Sequence, residues 1–284
     1  MRIRLDLGYD GTGFTGWARQ PGLRTVQGEL EAALATVLRG DAPRLVVAGR
    51  TDVGVHATGQ VAHLDLTEEQ LARLGGAERL AARLNGIAGL DADVRVFRST
   101  RAPAGFDARF SALWRRYEYR IADEQAMHDP RRRGHTLWYP RVLDLDAMDG
   151  AARSLLGLHD FASFCKPREG ATTIRTLQAF SWERDGDGVL VARLQADAFC
   201  HSMVRALVGA CVAVGEGRMP PPRMRELRDA RERTSEFRIM PARGLTLVEV
   251  GYPPDEELAA RAEQTRGRRT LDQAGGLAES PPID

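Results

Sequence analysis

The sequence predicts an α+β protein made of two halves. Two kinds of segment favour this class: short runs in which apolar residues alternate with polar ones, and longer runs with apolar residues at helical spacing. The chain has 284 residues, of which 43% are hydrophobic and 28% are charged. This length suits about two ordinary domains, and the composition excludes wholesale disorder, collagen and small disulfide scaffolds.

The first half is predicted to follow the order strand, helix, strand, strand, helix, strand. Ile3, Leu5 and Leu7 alternate with polar residues, which is typical of a strand with one buried face. Thr25 is a suitable N-cap for a helix that stops at Arg39 and Gly40. The remaining predicted segments are strands over 44–48, 60–66 and 94–97, and a helical region over 71–84 that Gly75 and Gly76 interrupt. This order is ferredoxin-like.

The second half is predicted to resemble the first in outline. Tyr117, Tyr119 and Ile121 share one face of a strand, and Asp144 opens a helix. The other predicted segments are a hairpin of 180–183 and 189–195, a helix over 199–214 and a strand over 245–250. We therefore predict an N-terminal half over 1–105, a C-terminal half over 106–254 and a disordered tail over 255–284.

Charge and cysteine content set further limits. Forty basic and 39 acidic residues give a net charge of +1, which argues neither for nor against a polyanionic partner. Cys165, Cys200 and Cys211 form no CxxC pair, so we expect no disulfide framework and a reducing cytoplasm. The amino terminus lacks an apolar signal region and no stretch is long enough to span a membrane, so no membrane association is expected.

The segment from Ala48 to Ala57 is the most informative in the chain. Two glycines bracket Arg50, Thr51 and Asp52 directly after an apolar strand, which predicts a sharp turn that presents these side chains at the strand end. A carboxylate there could be a nucleophile, a base, a metal ligand or a turn former. The spacing alone does not choose, and a plain turn is the commonest outcome.

This segment, AGRTDVGVHATGQVAHLD at 48–65, resembles the signature of the TruA family of tRNA pseudouridine synthases. Six other stretches agree with that family in the same order. They are YDGTGFTGW at 9–17, FDARFSA at 106–112, RRYEY at 115–119, DFASF at 160–164, FCHSMVR at 199–205 and PARGL at 241–245. The match extends over nearly the whole chain apart from the tail.

The resemblance implies a role for five residues in exchanging the N-glycosidic bond of uridine for a carbon–carbon bond. Asp52 would be the nucleophile, attacking either C1′ of the sugar or C6 of the ring, and Arg205 would keep it ionised. Tyr117 would stack on the base and take part in deprotonation at C5. Arg50 would fill the gap that the displaced nucleotide leaves, and Leu245 would line the uracil pocket.

The resemblance also implies the wider setting of the reaction. The two halves, each ferredoxin-like or RRM-like, would form a continuous mixed β-sheet with helices packed on it and an active cleft between them. The protein would be a cytoplasmic homodimer that modifies positions 38, 39 and/or 40 in the anticodon stem-loop of tRNA. We expect no cofactor, because phosphate-binding glycine motifs are absent, and no metal, because the histidines lack ligand spacing.

Other arginines are candidates for contacts with the RNA backbone. These are Arg109, Arg115 and Arg116, together with the run 131–133, although such runs are commonly just solvated. The chain departs from the family pattern at Ala206, where asparagine is common, and at Thr246, where an aromatic residue is frequent. Neither departure affects the nucleophile, the stacking tyrosine or the paired arginine.

Two other classes of function are compatible with parts of the sequence. Paired ferredoxin-like halves with strand aromatics also describe an RNA-binding module without catalytic activity, which would leave uridine unchanged. The stretch DLGYDGT at 6–12 superficially resembles the nucleophile loop of haloacid-dehalogenase-like phosphatases. Gly8 stands where that loop needs its acid/base aspartate, which argues against phosphoryl transfer.

Overall fold

The computed structural model describes residues 1–168 and 170–267, which form two compact units. The first unit contains Met1–Leu113 and Thr246–Arg266, and the second contains Trp114–Leu245. The strands of the described residues are β1 (Arg2–Tyr9), β2 (Val46–Val47), β3 (His56–Asp65), β4 (Val94–Arg101), β5 (Trp114–Ala122), β6 (Leu137–Trp138), β7 (Gly157–Asp160), β8 (Ile174–Arg184), β9 (Leu190–Ala196) and β10 (Leu245–Gly251). Their helices are α1 (Val26–Leu38), α2 (Glu68–Leu74), α3 (Arg79–Ala88), α4 (Leu145–Arg153), α5 (Met203–Gly215), α6 (Arg223–Ala230) and α7 (Leu258–Arg266).

The first unit contains a mixed sheet in the order β4-β1-β3-β10, with β2 also paired to β3. Strand β1 runs antiparallel to both β3 and β4, whereas β10 is parallel to β3 with Thr246 opposite His56. Ile3, Leu5 and Leu7 are fully buried, so the predicted one-faced strand is confirmed. Helix α3 packs on β4 and on α1, and the core of this unit lies beneath these helices.

The helix ends of the first unit follow the predicted signals. The Thr25 hydroxyl accepts a hydrogen bond from the Gly28 amide at 3.2 Å, which confirms the N-cap of α1. Helix α1 ends at Leu38, and Arg39, in the left-handed conformation with φ of 54°, is its C-cap, which agrees with the predicted stop at 39–40. Gly75, with φ of 74°, ends α2 and divides the predicted helical region into two helices.

The second unit contains an antiparallel sheet in the order β5-β9-β8-β7, to which β6 adds in parallel beside β5. The face of β5 that carries Tyr117, Tyr119 and Ile121 is buried, as the alternation predicts. Strands β8 and β9 form the predicted hairpin. Helix α4, capped by Asp144, packs against β8 and α5. The α+β class is therefore confirmed, with a mixed sheet in each unit.

The course of the chain through the units differs from the predicted division. The first unit extends to Leu113 rather than to residue 105, and the last strand returns to it because β10 pairs with β3. Residues 255–266 form a short turn and helix α7 where a disordered tail was expected. Leu258 and Ala262 are buried, and the Ser111 hydroxyl donates to the Leu258 carbonyl at 3.0 Å, which fixes this helix. The rest of the predicted tail, 268–284, lies outside the described residues.

One expectation about cysteines is wrong. Cys165 and Cys200 form a disulfide, with their Cα atoms 5.7 Å apart. Spacing in the sequence could not indicate it, because the two cysteines are 35 residues apart. The Lys166 amide, next to Cys165, donates to the carbonyl of His201, next to Cys200, at 2.9 Å. Cys211 remains a thiol, and its burial raises its pKa to about 12. Across residues 1–168 and 170–267 we find no helix that combines the length and the apolar character needed to cross a membrane.

Candidate active site

Asp52 lies in the turn between β2 and β3 of the first unit. The ladder between these strands continues to Ala48, whose amide donates to the Val61 carbonyl at 2.8 Å. The chain then turns over residues 52–55, with the Val55 amide donating to the Asp52 carbonyl at 3.2 Å and Gly54 at φ of 76°. The hydrogen bond that closes the turn uses the main chain of Asp52, so a turn-forming role and a catalytic role for its carboxylate are compatible.

A neighbouring segment, 14–17, holds the backbone of this turn. The Trp17 amide donates to the Thr51 carbonyl at 3.1 Å, and the Gly54 amide donates to the Phe14 carbonyl at 3.3 Å. Gly16 has φ of 85°, and a Cβ there would lie 3.0 Å from the Thr51 carbonyl oxygen. Glycine is therefore required at this position both for the backbone angle and for the close approach.

Exposure differs among the three side chains that the turn was predicted to present. Arg50 is exposed, Thr51 is buried and Asp52 is half-buried. Arg50 is thus accessible to a ligand from solvent, as a residue that fills a vacated base position must be. The half-buried position of Asp52 removes part of its hydration, which favours a reactive carboxylate only where a cation compensates for the loss.

His56 begins β3 directly after the turn and is buried. Its Nδ1 lies 3.0 Å from the amide nitrogen of Gly11 and 3.1 Å from a carboxylate oxygen of Asp10. Nε2 is buried, and no hydrogen-bond partner for it exists among the described residues. His56 therefore links the turn to residues 10–11. Within the described part of the chain, no cluster of three His, Cys, Asp or Glu side chains could hold a metal ion.

Tyr117 lies on β5 of the second unit, opposite Leu194 of β9. Its side chain is only 7% exposed, and its ring meets the ring of Phe199 edge to face, with centroids 5.1 Å apart. Phe199 belongs to the segment that joins β9 to α5. The contact fixes the orientation of the Tyr117 ring, as an aromatic platform for a base requires.

Arg205 lies in the first turns of α5, and its guanidinium donates to the Ser202 hydroxyl at 3.0 Å. Ser202 has φ of 63°, a left-handed conformation that starts α5 four residues after the predicted position. Burial raises the pKa of the Tyr119 hydroxyl, and the positive charge of Arg205 opposes that rise. The electrostatic influence of Arg205 thus reaches the buried face of β5, on which Tyr117 also lies.

Leu245 is the buried first residue of β10, and a close approach to β5 fixes its position. The Tyr119 hydroxyl donates to the Pro241 carbonyl at 2.7 Å. Gly244 lies so near the Tyr119 ring that a Cβ there would be 2.7 Å from it. Tyr119 therefore anchors the PARGL segment immediately before Leu245.

The arginines predicted to contact the RNA backbone differ in exposure. Arg109 is exposed and lies over the Phe110 ring, at 5.1 Å from its centroid. Arg116 is half-buried and donates to the Gln195 side chain at 2.8 Å. Arg115 is 7% exposed and donates to the Asp197 carbonyl at 2.7 Å, so burial removes it from the residues we propose for RNA contact. Arg131 and Arg132 form ion pairs with acidic neighbours at the protein surface.

The structure brings some of the predicted residues into one element and separates others. Arg50 and Asp52 share one turn of the first unit, while Tyr117, Arg205 and Leu245 belong to the second unit. Sequence reasoning missed four supporting side chains, Phe199, Tyr119, Tyr9 and Gln60. All four lie within motifs that carried the family resemblance, so their position in those motifs was the available signal.

The departures at Ala206 and Thr246 fall on a buried and a half-buried position respectively.

Comparison with known proteins identifies the family. A family profile described as tRNA pseudouridine synthase matches residues 151–253. A tRNA pseudouridine synthase A of Leifsonia xyli subsp. xyli is 65% identical over 282 residues, covering 95% of this chain and 98% of the relative. A protein of the same name from Streptomyces griseus subsp. griseus is 56% identical over 277 residues, covering 97% of this chain and 96% of the relative. The chain therefore belongs to the tRNA pseudouridine synthase A family and is an isomerase that acts on tRNA.

Proposed function

We propose that this enzyme converts uridine to pseudouridine at positions 38, 39 and/or 40 of the tRNA anticodon stem-loop, with Asp52 as nucleophile and without a cofactor. The observation that carries the proposal is the placement of Asp52, half-buried at a strand end, in a turn whose main chain is fixed by residues 14–17. High identity to relatives over nearly the whole chain supports the same reaction class.

The proposed reaction is an isomerisation that neither adds nor removes atoms. The Asp52 carboxylate attacks C1′ of the sugar or C6 of the ring, and the bond between N1 and C1′ breaks. The uracil turns and rejoins C1′ through C5, and the bond between Asp52 and the nucleotide breaks, which frees the carboxylate. A base then takes the proton from C5 and N1 gains a proton, so the product has the same atoms as the substrate. A carboxylate is a nucleophile only when ionised, and burial alone would favour the neutral acid. We assign to Arg205 the positive charge that keeps Asp52 ionised.

Tyr117 provides the proposed platform for the extruded uracil. Stacking on an aromatic ring is worth about 1 to 3 kcal/mol per base and does not depend on hydrogen-bond readout. Because the ring is only 7% exposed, the base must displace a side chain that covers it when tRNA binds. Arg50 is exposed and fills the position that the nucleotide leaves, which offsets part of the cost of unstacking. Leu245 supplies an apolar wall.

The setting of the reaction is part of the same proposal. We infer a homodimer that acts in the cytoplasm, with Arg109 and Arg116 contributing to contacts with the RNA backbone. Loss of either positive charge should make tRNA binding less dependent on salt, since each phosphate contact releases counterions. Light scattering of the purified protein tests the oligomeric state.

Substitution of Asp52 tests the role of the nucleophile. Asp52→Asn should abolish tritium release from C5-labelled uridine in tRNA while tRNA binding, measured by filter retention, stays measurable. Asp91→Asn is the matched control, because Asp91 is exposed in the connection between α3 and β4 and neither element carries a residue assigned to the reaction. Tritium release by Asp52→Asn at the control's rate would remove Asp52 from its role.

Site mapping tests the choice of uridine. Carbodiimide labelling of tRNA from cells that lack the protein should show loss of pseudouridine at positions 38, 39 and/or 40 and its return when the wild-type gene is supplied. An unchanged pattern would contradict the proposed position. RNA binding without any isomerisation in vitro would instead favour the non-catalytic module.

A further inference from the structure

A chain of buried hydrogen bonds lies behind the turn that carries Asp52. The Gln60 amide nitrogen donates to the Gly49 carbonyl at 2.9 Å and to the Tyr9 hydroxyl at 3.1 Å. The Tyr9 hydroxyl oxygen in turn lies 2.8 Å from Oγ1 of Thr51. The exposed fractions of Gln60, Tyr9 and Thr51 are 0%, 6% and 7%, so water does not compete for these bonds.

The direction of the two Gln60 bonds follows from counting donors. An amide nitrogen has two hydrogens and accepts nothing, so both hydrogens of Gln60 are used. The opposite orientation of the amide would set its oxygen against the Gly49 carbonyl oxygen, which is repulsive. The Tyr9 hydroxyl oxygen therefore accepts from Gln60 and still carries its own proton, and in its bond with Thr51 either hydroxyl can be the donor. Burial raises the pKa of Tyr9 to about 12, so this proton is retained at neutral pH.

Tyr9 also contacts the segment on the other side of the turn. Its ring packs against the rings of Phe14 and Trp17, with centroids 6.5 Å and 6.0 Å away. Those two residues make the main-chain hydrogen bonds to Gly54 and Thr51 that hold the turn. One side chain thus supports the turn through its hydroxyl and through its ring.

We propose that Tyr9 and Gln60 are positioning residues that set, through Thr51 and Gly49, the orientation from which Asp52 attacks the nucleotide. The inference rests on the proposed role of Asp52. Neither residue touches the uridine in this scheme. A displacement of about 1 Å at the reacting atoms can cost about a hundredfold in rate, so losing one of the bonds that fix the turn should appear in kcat.

Three substitutions isolate the hydrogen-bonded chain from the packing. Tyr9→Phe removes the hydroxyl and keeps the ring, Thr51→Val removes the other hydroxyl and keeps the shape, and Thr51→Ser keeps the hydroxyl. On a tRNA transcript we expect Tyr9→Phe and Thr51→Val each to lower kcat about tenfold. KM should stay within about twofold, because the tRNA contacts are unchanged. Thr51→Ser should retain kcat within about threefold of the wild-type value.

The double variant and a matched control complete the test. Because both single changes break the same chain, Tyr9→Phe with Thr51→Val should be no slower than the slower single variant. Tyr252→Phe removes a tyrosine hydroxyl that donates to the Ala108 carbonyl at 2.7 Å in the same unit, and should lower Tm without lowering kcat. Melting curves of all variants report stability. If Tyr9→Phe does not fold, the Thr51→Val and Thr51→Ser pair makes the same comparison.

Specific outcomes overturn the positioning role. The first is a kcat for Tyr9→Phe no lower than that for Tyr252→Phe. The second is a double variant whose loss of kcat equals the product of the losses in Tyr9→Phe and Thr51→Val. The third is a change in KM, with kcat unaltered, in these two single variants. Asp52→Asn, assayed in parallel, separates this inference from the proposed function. Activity in Asp52→Asn contradicts the proposed function itself, whereas an inactive Asp52→Asn beside a fully active Tyr9→Phe contradicts only the positioning role.

Discussion

The ring of Phe199 meets the ring of Tyr117 edge to face, with their planes 86° apart. Phe199 lies on the chain segment that joins strand β9 to helix α5, and that helix carries Arg205. The same segment therefore orients the proposed stacking platform and leads into the helix with the proposed charge partner of Asp52.

The first prediction concerns this ring pair. Phe199→Leu should lower kcat for pseudouridine formation several-fold, because an edge-to-face pair is worth about 0.5 to 1.5 kcal/mol and its loss frees the Tyr117 ring to rotate. Phe237→Leu is the control, since it disrupts a stacked pair with Phe164 elsewhere in the second unit. Steady-state kinetics and melting temperatures should show that both variants lose stability but only Phe199→Leu loses kcat. Equal kcat values in the two variants would contradict the role of Phe199.

The second prediction concerns a buried ion pair and its dependence on pH. The Asp123 carboxylate is fully buried, and Arg184 donates two hydrogen bonds to it at 2.9 Å and 2.7 Å. Burial acts to raise the pKa of Asp123, but the bonds from Arg184 and from the Leu143 amide outweigh it and hold the pKa below its ordinary value. A lowered pKa means that this stability is present above about pH 4 and is lost as pH falls through the folded pKa.

Asp123→Asn should therefore cost about 3 kcal/mol at pH 7, and the difference from wild type should shrink as pH falls below about 4. Urea denaturation across this pH range measures it. Glu69→Gln affects an exposed ion pair with Arg73 and should change stability little at any pH. A deficit in Asp123→Asn that stays constant down to pH 2 would show that the ionised pair is not its source.

The third prediction compares two glycines in the first unit. A Cβ at Gly59 of β3 would lie 2.0 Å from the Val248 carbonyl oxygen, so Gly59→Ala must push β10 away and should cost more than about 2 kcal/mol. Gly86 is exposed in α3 with open space around it, and Gly86→Ala should stabilise the protein by about 1 kcal/mol. The midpoint of denaturant unfolding should fall below the wild-type value in Gly59→Ala and rise above it in Gly86→Ala. Two shifts in the same direction would contradict the close approach at Gly59.

Local patterns in the sequence were enough for much of the fold. Alternation identified β1 and β5, and capping residues Thr25 and Asp144 identified the starts of α1 and α4, because these signals act over a few residues. The return of β10 to the first unit, the disulfide of Cys165 with Cys200 and the helix at 258–266 depend on contacts between distant parts of the chain, which no local pattern encodes.

The same distinction applies to the site. Asp52 stood out because two glycines bracket it, and the family resemblance supplied the roles of Tyr117 and Arg205. The hydrogen-bonded chain through Gln60 was not visible, because a glutamine inside a strand carries no signal of where its amide points. The burial of Arg115 could have been predicted, because alternation along β5 places it on the same face as Tyr117.

The return of the chain to the first unit has a consequence for biosynthesis. The ribosome must make all of the second unit before β10 and α7 emerge, and at about 5 to 20 residues per second that takes several seconds or more. During that interval the backbone edge of β3 that later pairs with β10 has no β10 to pair with. The nascent enzyme is therefore most vulnerable to chaperone capture or mispairing late in translation, and the second unit has the first opportunity to fold to completion.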